Sequence, residues 1–157
     1  GKAKCLLIRR LHTMAKLGRY AAQRKKIEDL TEAKSITVAD CGTIFTIGSA
    51  SLTHTLPLLA DAGKGWWCRF VVNDETAATV IDQNGSDTAN QMVGHVKSFT
   101  DNAAVQLSPA TEGTAFDKIT FSTNVVQGDW VEVYTDGTLW YVCGESCSGA
   151  ADAIALA

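Results

Sequence analysis

Residues 128–144 read Gly128-Asp129-Trp130-Val131-Glu132-Val133-Tyr134-Thr135-Asp136-Gly137-Thr138-Leu139-Trp140-Tyr141-Val142-Cys143-Gly144. Two runs of β-branched and aromatic residues flank Asp136-Gly137, a pair that supplies the positive φ values of a tight type I′ turn. The runs therefore fold back on each other as antiparallel strands. With a two-residue loop, Thr135 faces Thr138, Val133 faces Trp140 and Val131 faces Val142, giving one nearly apolar face that belongs in a core. The opposite face pairs Trp130 with Cys143, Glu132 with Tyr141 and Tyr134 with Leu139. That mixture of aromatic and polar groups suits contact with a partner.

Outward from this hairpin the chain keeps the same character. Its 157 residues, 46% hydrophobic, suffice for one domain with one core and are too few for two ordinary ones. Thirteen glycines and closely spaced turn clusters predict an all-β fold, an antiparallel, hairpin-rich sandwich or barrel. Strands are expected at 35–38, 43–47, 51–56, 66–73, 77–82, 95–99, 103–108, 116–122, 130–135 and 138–143. Asn84-Gly85 and Asp101-Asn102 read as two further tight turns. Pro57 and Pro109 sit at strand ends, where the missing N–H harms no ladder.

The two ends differ from this body. Residues 1–34 hold ten Lys and Arg against three acids, whereas residues 35–157 hold four against fourteen, so a basic arm precedes an acidic domain. Leu7, Leu11, Met14 and Ala21 recur at near-heptad spacing, with Ile27 and Leu30 beyond, which predicts an N-terminal helical arm over residues 4 to about 31, weakest at Gly18. Three parts are thus expected: the arm (1–34), the β domain (35–148) and an Ala-rich C-terminal tail (149–157), either solvent-exposed or laid over a neighbour. No run reaches the length of a transmembrane helix, and Cys5-Leu6-Leu7-Ile8 is cut short by Arg9-Arg10, so a soluble protein made in the cytoplasm is expected, with no membrane partner.

Residues 128–144 also carry a family resemblance. The pattern Gly-Asp-x-Val-Glu-Val-x-x-Asp-Gly-x-x-Trp-Tyr-Val-x-Gly resembles the closing hairpin of small β-domain virion proteins of tailed bacteriophages. Ser35 to Ile47, with the turn Ala39-Asp40-Cys41-Gly42 before an apolar strand, resembles their opening strand. Thr55-Leu56-Pro57, followed by a Gly-containing loop and Trp66 to Val72, resembles their second hairpin. Residues 35 to 144 are covered in order. The resemblance implies a structural role on the virion, as a capsid cement or decoration protein on the outer surface of the coat-protein shell; tail and fibre proteins carry similar modules.

Patterns of catalysis are sparse. The chain has no Gly-x-Ser-x-Gly elbow, no His-Glu-x-x-His and no Walker loop, and Gly63-Lys64-Gly65 reads as a turn. His12, His54 and His95 are scattered, with no Cys or second His at metal-ligand spacing, and no cofactor is expected. The five cysteines are odd in number and irregularly spaced, which argues against a disulfide framework. Cys41, Cys68 and Cys143 read as small buried hydrophobes, in preference to a four-thiolate zinc site with Cys147.

Binding is therefore the expected activity, and the arm is its first candidate. Leu7, Leu11 and Met14 supply apolar contact, while Arg10, Arg19, Arg24 and Lys25 set register on an acidic protein surface such as the major coat protein. Nucleic acid is the alternative for this arm, which has only Tyr20 to stack on bases. Within the β domain Trp66, Trp130, Tyr134 and Tyr141 are the expected contact residues, which on a tail or fibre would stack on sugar rings. Self-association, with a trimer preferred, would multiply any single contact by avidity.

Overall fold

The computed structural model describes residues 24–48, 51–74, 78–85, 90–100, 105–108, 115–150 and 153–157. Eleven strands run β1 (Lys26–Leu30), β2 (Thr43–Ile47), β3 (Thr53–Thr55), β4 (Trp67–Val72), β5 (Thr79–Asp82), β6 (Met92–Thr100), β7 (Val105–Ser108), β8 (Lys118–Phe121), β9 (Trp130–Thr135), β10 (Trp140–Gly149) and β11 (Ile154–Leu156). A single helical turn, α1 (Leu59–Ala62), and a 3-10 turn at Val38–Asp40 complete the described elements. Seven strands form one sheet in the order β1-β2-β4-β9-β10-β6-β7, and four form a second in the order β11-β8-β5-β3. One core fills the space between them. Phe45, Phe70, Val131, Val133, Met92 and Trp140 come from the large sheet, and Ile81, Ile119, Phe121, Ile154 and Leu156 from the small one.

The all-β expectation holds, but both sheets are mixed. β1 with β2, β2 with β4, β10 with β6, and β3 with β5 are all parallel. The chain passes from β2 in the large sheet to β3 in the small one and returns as β4, so successive strands of one sheet are joined by a crossover and run the same way. For the same reason Asn84-Gly85 closes no hairpin: β5 pairs with β3 and β8, and β6 lies in the other sheet.

The closing hairpin is antiparallel as expected, with its register moved by two residues. Trp140 pairs with Thr135, Tyr141 with Tyr134, Val142 with Val133, Cys143 with Glu132 and Glu145 with Trp130. The loop is thus four residues, Asp136 to Leu139, rather than two. Asp136 causes this: its Oδ1 accepts from the Thr138 N–H at 2.8 Å, the Thr138 hydroxyl at 2.7 Å and the Leu139 N–H at 3.0 Å, a local cap that a two-residue turn has no room for. Gly137 supplies the left-handed φ of 94°. A shift of two leaves every side chain on its expected face. Val131, Val133, Thr135, Trp140 and Val142 are all buried.

Three expectations about the ends are corrected. Lys26–Leu30, read as the last part of a helix, is an edge strand: pairing with β2 satisfies one row of its backbone groups, and Leu30 enters the core beside Ile47, which outweighs helix propensity. Residues 4–23 of that helical reading, with Leu7, Arg10, Leu11, Met14 and Arg19, lie outside the described residues, and Arg24 and Lys25 are not helical. Ile154–Leu156, read as a tail, pairs with β8, and both its Ile and its Leu are core residues. Ser35, read as opening a strand over 35–38, makes only a bridge to Thr55 before the 3-10 turn begins at Val38.

Polar groups pin the places where strands end. Asp129 is buried; its Oδ2 accepts from Ser146 Oγ at 2.7 Å and the Val126 N–H at 3.1 Å, and its Oδ1 accepts from the Cys147 N–H at 2.8 Å. Asp40 ties β1 to the 3-10 turn. Its carboxylate accepts from the Thr37 N–H at 2.9 Å, from Lys26 Nζ at 3.2 Å and from Lys34 Nζ at 3.4 Å. Burial opposes its charge, but these bonds prevail and hold it down at about 2. His54 is buried on β3, where Nδ1 accepts from the Lys34 N–H at 3.2 Å and Nε2 has no partner among the described residues, so burial and the nearby Lys34 ammonium keep the ring neutral. Where β6 passes β10, Gly94 has φ 141° and a Cβ there would stand 1.9 Å from the Val142 carbonyl oxygen, so only glycine fits.

Two expectations about stability follow. Trp140 is fully buried and meets Trp66 edge-on at 5.4 Å, so Trp140→Ala is expected to cost about 3–5 kcal/mol in urea unfolding, against a surface change of under about 0.5 kcal/mol. The unfolded state binds a proton at His54 that the folded state refuses. Stability therefore falls as pH drops below about 6.5, and again between about 4 and 2 as Asp40 is protonated. In His54→Leu the first decline should flatten, measured as the urea midpoint between pH 7 and 5, while the second should remain.

Candidate binding face

Period-two alternation decides what the large sheet shows on its outer side. β4 turns Cys68, Phe70 and Val72 inward and Trp67, Arg69 and Val71 outward. β9 turns out Trp130, Glu132 and Tyr134, and β10 turns out Tyr141, Cys143 and Glu145. The pairing aligns these into rows: Trp67, Tyr134, Tyr141 and Val93 in the first; Ile27, Ile44, Arg69, Glu132, Cys143 and His95 in the second. A third holds Asp29, Thr46, Val71, Trp130, Glu145, Lys97 and Leu107, and Phe99 with Val105 lies beyond it.

This face is the apolar part of the described surface. Of the described large hydrophobic residues that are well exposed, Ile27, Phe99, Val105, Leu107 and Tyr134 all lie on it, and only Val38 lies elsewhere. The outer side of the small sheet carries Thr53, Thr55, Val80, Asp82, Lys118 and Thr120, mainly polar residues. One sandwich thus has a wetted side and a side suited to contact. Ile27, at 63% exposed, marks one edge; Phe99, Val105 and Leu107 form a corner at the other, with Val105 at 54%.

Near the opposite corner the aromatic residues are ordered. Tyr134 and Tyr141 stack with ring centroids 5.3 Å apart and planes at 17°. The Tyr141 hydroxyl donates to Asp136 Oδ2 at 3.0 Å, so the loop cap also fixes the ring. Trp67 leans the other way, its indole against Gly42 at 3.8 Å from where a Cβ would be. A hollow of about 340 Å³ is lined by Trp67 and Tyr134 together with Gly65 and Glu132. Beside it Arg69 donates from Nε at 3.0 Å and Nη2 at 2.6 Å to the same oxygen, Oε2 of Glu132, while its guanidinium lies 4.6 Å over the Trp130 ring.

Of the residues expected to make contact in the β domain, Trp130, Tyr134 and Tyr141 lie on this face and Trp66 does not. Trp66 is buried; its Nε1–H donates to the Val38 carbonyl at 3.0 Å and its ring packs on Trp140. Trp66 precedes Cys68, Phe70 and Val72 at intervals of two, and charged Arg69 shares a side with Trp67, so alternation could have exchanged the two tryptophans. Arg24 and Lys25 are exposed just before β1. Cys68 is buried, as expected, whereas Cys41 is exposed and Cys143 half-buried. Cys68 and Cys143 face opposite sides of the sheet, which rules out their sharing one metal ion. Among the described residues no group of three or more His, Cys, Asp or Glu side chains is placed to hold a metal, and no helix is long and apolar enough to cross a membrane.

No family model, curated protein or solved structure matches the chain.

The Asp136 contact makes a spectroscopic prediction. The hydrogen bond to Asp136, and then its charge, raise the ionisation of the Tyr141 phenol above its ordinary value near 10. Ultraviolet titration of Asp136→Asn should show one tyrosine ionising at lower pH than in the parent protein. An unchanged titration would mean that the loop does not hold this ring.

Proposed function

We propose that this chain is a non-enzymatic structural protein of the phage virion, a cement or decoration protein that docks on the coat-protein shell and stabilises it. What supports the reading is the asymmetry of the sandwich: exposed apolar side chains gather on the large sheet, and the small sheet's outer side is polar. The resemblance of residues 35–144 to virion β domains names the kind of assembly. Phe99, Val105 and Leu107, adjacent across β6 and β7, form the apolar contact, and Lys97 on the same strands sits at its rim. The basic segment before β1 adds a second point of attachment, since residues 1–23 carry six Lys and Arg and no acid. A cement protein works by adding buried area across a seam, and some 1,200–2,000 Å² suffices for a stable, specific contact. Self-association into a trimer would let several such contacts release only together.

Nucleic acid is the competing partner for the basic segment, and salt separates the two. Phosphate contacts weaken linearly with log salt, by about 0.9 per contact, whereas apolar burial survives screening. The test is co-sedimentation of the purified protein with particles stripped of it. Val105→Asp with Leu107→Asp should weaken binding at least tenfold, about 1.4 kcal/mol, with the fold retained by circular dichroism. A chain lacking residues 1–23, which keeps β1, should bind more weakly, and half-molar salt should leave the full chain bound. Undiminished binding by the double variant, or loss in salt accompanied by DNA binding, would overturn the reading.

A further inference from the structure

We propose that the hollow between Trp67 and Tyr134 is a saccharide-binding site that takes one neutral pyranose ring, separate from the shell-docking corner. Along β6 the row of Val93 and Tyr141 lies six residues from Phe99, roughly 20 Å at strand rise, so contact at one corner leaves the other open. The inference does not depend on the shell-docking reading.

Three observations name the ligand. The walls are two aromatic side chains on neighbouring strands, held apart because Trp67 lies on Gly42 and Tyr134 on Tyr141. Flat ring faces of this kind receive the C–H face of a sugar, and Gly65 in the lining adds no side chain to block it. The polar group in the hollow is Glu132, whose Oε2 takes both bonds from Arg69 and whose Oε1 has no partner among the described residues. That oxygen is fixed in place and available to accept from a hydroxyl group, at no further cost in ordering the side chain.

Charge then discriminates between ligands. Two aromatic rings and a carboxylate would also fit an ammonium group, as in a cation cage. Here the carboxylate is already neutralised by Arg69 at 2.6 Å, and that guanidinium repels a second cation. A neutral, hydroxyl-rich ring suffers no such repulsion. With about a dozen heavy atoms in one open hollow, the expected affinity is about millimolar.

The experiment screens the full chain, by saturation-transfer NMR and tryptophan fluorescence, against the methyl glycosides of glucose, galactose, mannose and N-acetylglucosamine and trisaccharides of each. Nα-acetyl-lysine methylamide serves as the cationic probe. At least one sugar should bind saturably, with tryptophan emission changed. Trp67→Ala, Tyr134→Ala and Glu132→Gln should each weaken that binding at least tenfold, while Lys118→Ala on the small sheet should not. Because Trp67→Ala could disturb β4, Trp67→Phe is the paired variant and should retain part of the affinity. Absence of saturable binding by every sugar, binding indifferent to all three substitutions, or preference for the lysine derivative would overturn the proposal. Shell binding measured on the same variants should be unchanged, so failure here and failure of the docking reading are distinguishable.

Discussion

Strand parity across β4, β9 and β10 is the constraint on which the rest of this structure depends. Once Trp140 goes inward to meet Trp66, Val142 and Gly144 follow on its strand, and Val131 and Val133 follow on β9. Phe70 and Cys68 follow on β4. Every outward residue is then assigned without further choice: Trp67, Arg69, Glu132, Tyr134 and Tyr141 share one face because their neighbours are needed in the core. The candidate face is thus a by-product of core packing that has been filled with aromatic and paired charged residues, where an ordinary solvated face would carry Thr and Lys, as the small sheet does.

Parity also explains what the amino-acid sequence could and could not disclose. The hairpin loop was read two residues too short, yet no side chain changed face, because a register error of two preserves alternation. Trp66 was misassigned for the complementary reason: beside another tryptophan, only the polarity of Arg69 tells which of the two points out. Strand order was legible only at hairpins. Alternation says that a strand is half-buried and says nothing about which strand lies beside it; of the turns, Asp136-Gly137 and Asp101-Asn102 name their partners, β9 with β10 and β6 with β7, and Asn84-Gly85 does not. The parallel ladders come from crossovers between sheets, which leave no local pattern. Ile27 and Leu30 stand three apart, which serves a helix face as well as it serves one outward and one inward residue on a strand. The short Ile154-Ala155-Leu156 run gave too few alternations to be read.

Polar groups do their work where strands finish. Asp129 joins the β9 entry to the far end of β10, and Asp136 closes the near end, so the central hairpin is clamped at both limits by carboxylates that accept from backbone N–H groups. Lys34 serves twice, its N–H on His54 and its ammonium on Glu28 and Asp40. The segment between β1 and β2 is thereby fixed to both sheets, and the protonation of the His54 imidazole that it meets on β3 and of its own Asp40 carboxylate sets the response to acid.

The same charges have a consequence for crowding. Among the described residues β1 is an edge strand with one open row of backbone groups, the kind of margin along which identical chains zip together when packed closely. Two of its three inward positions, where a paired neighbour would demand apolar residues, hold Lys26 and Glu28, knotted to Asp40 and Lys34. A sister strand laid alongside would have to strip water from that knot while offering nothing to replace it. Copies at high local concentration can then stand side by side without fusing into a continuous sheet, and remain separate units even at near-contact spacing.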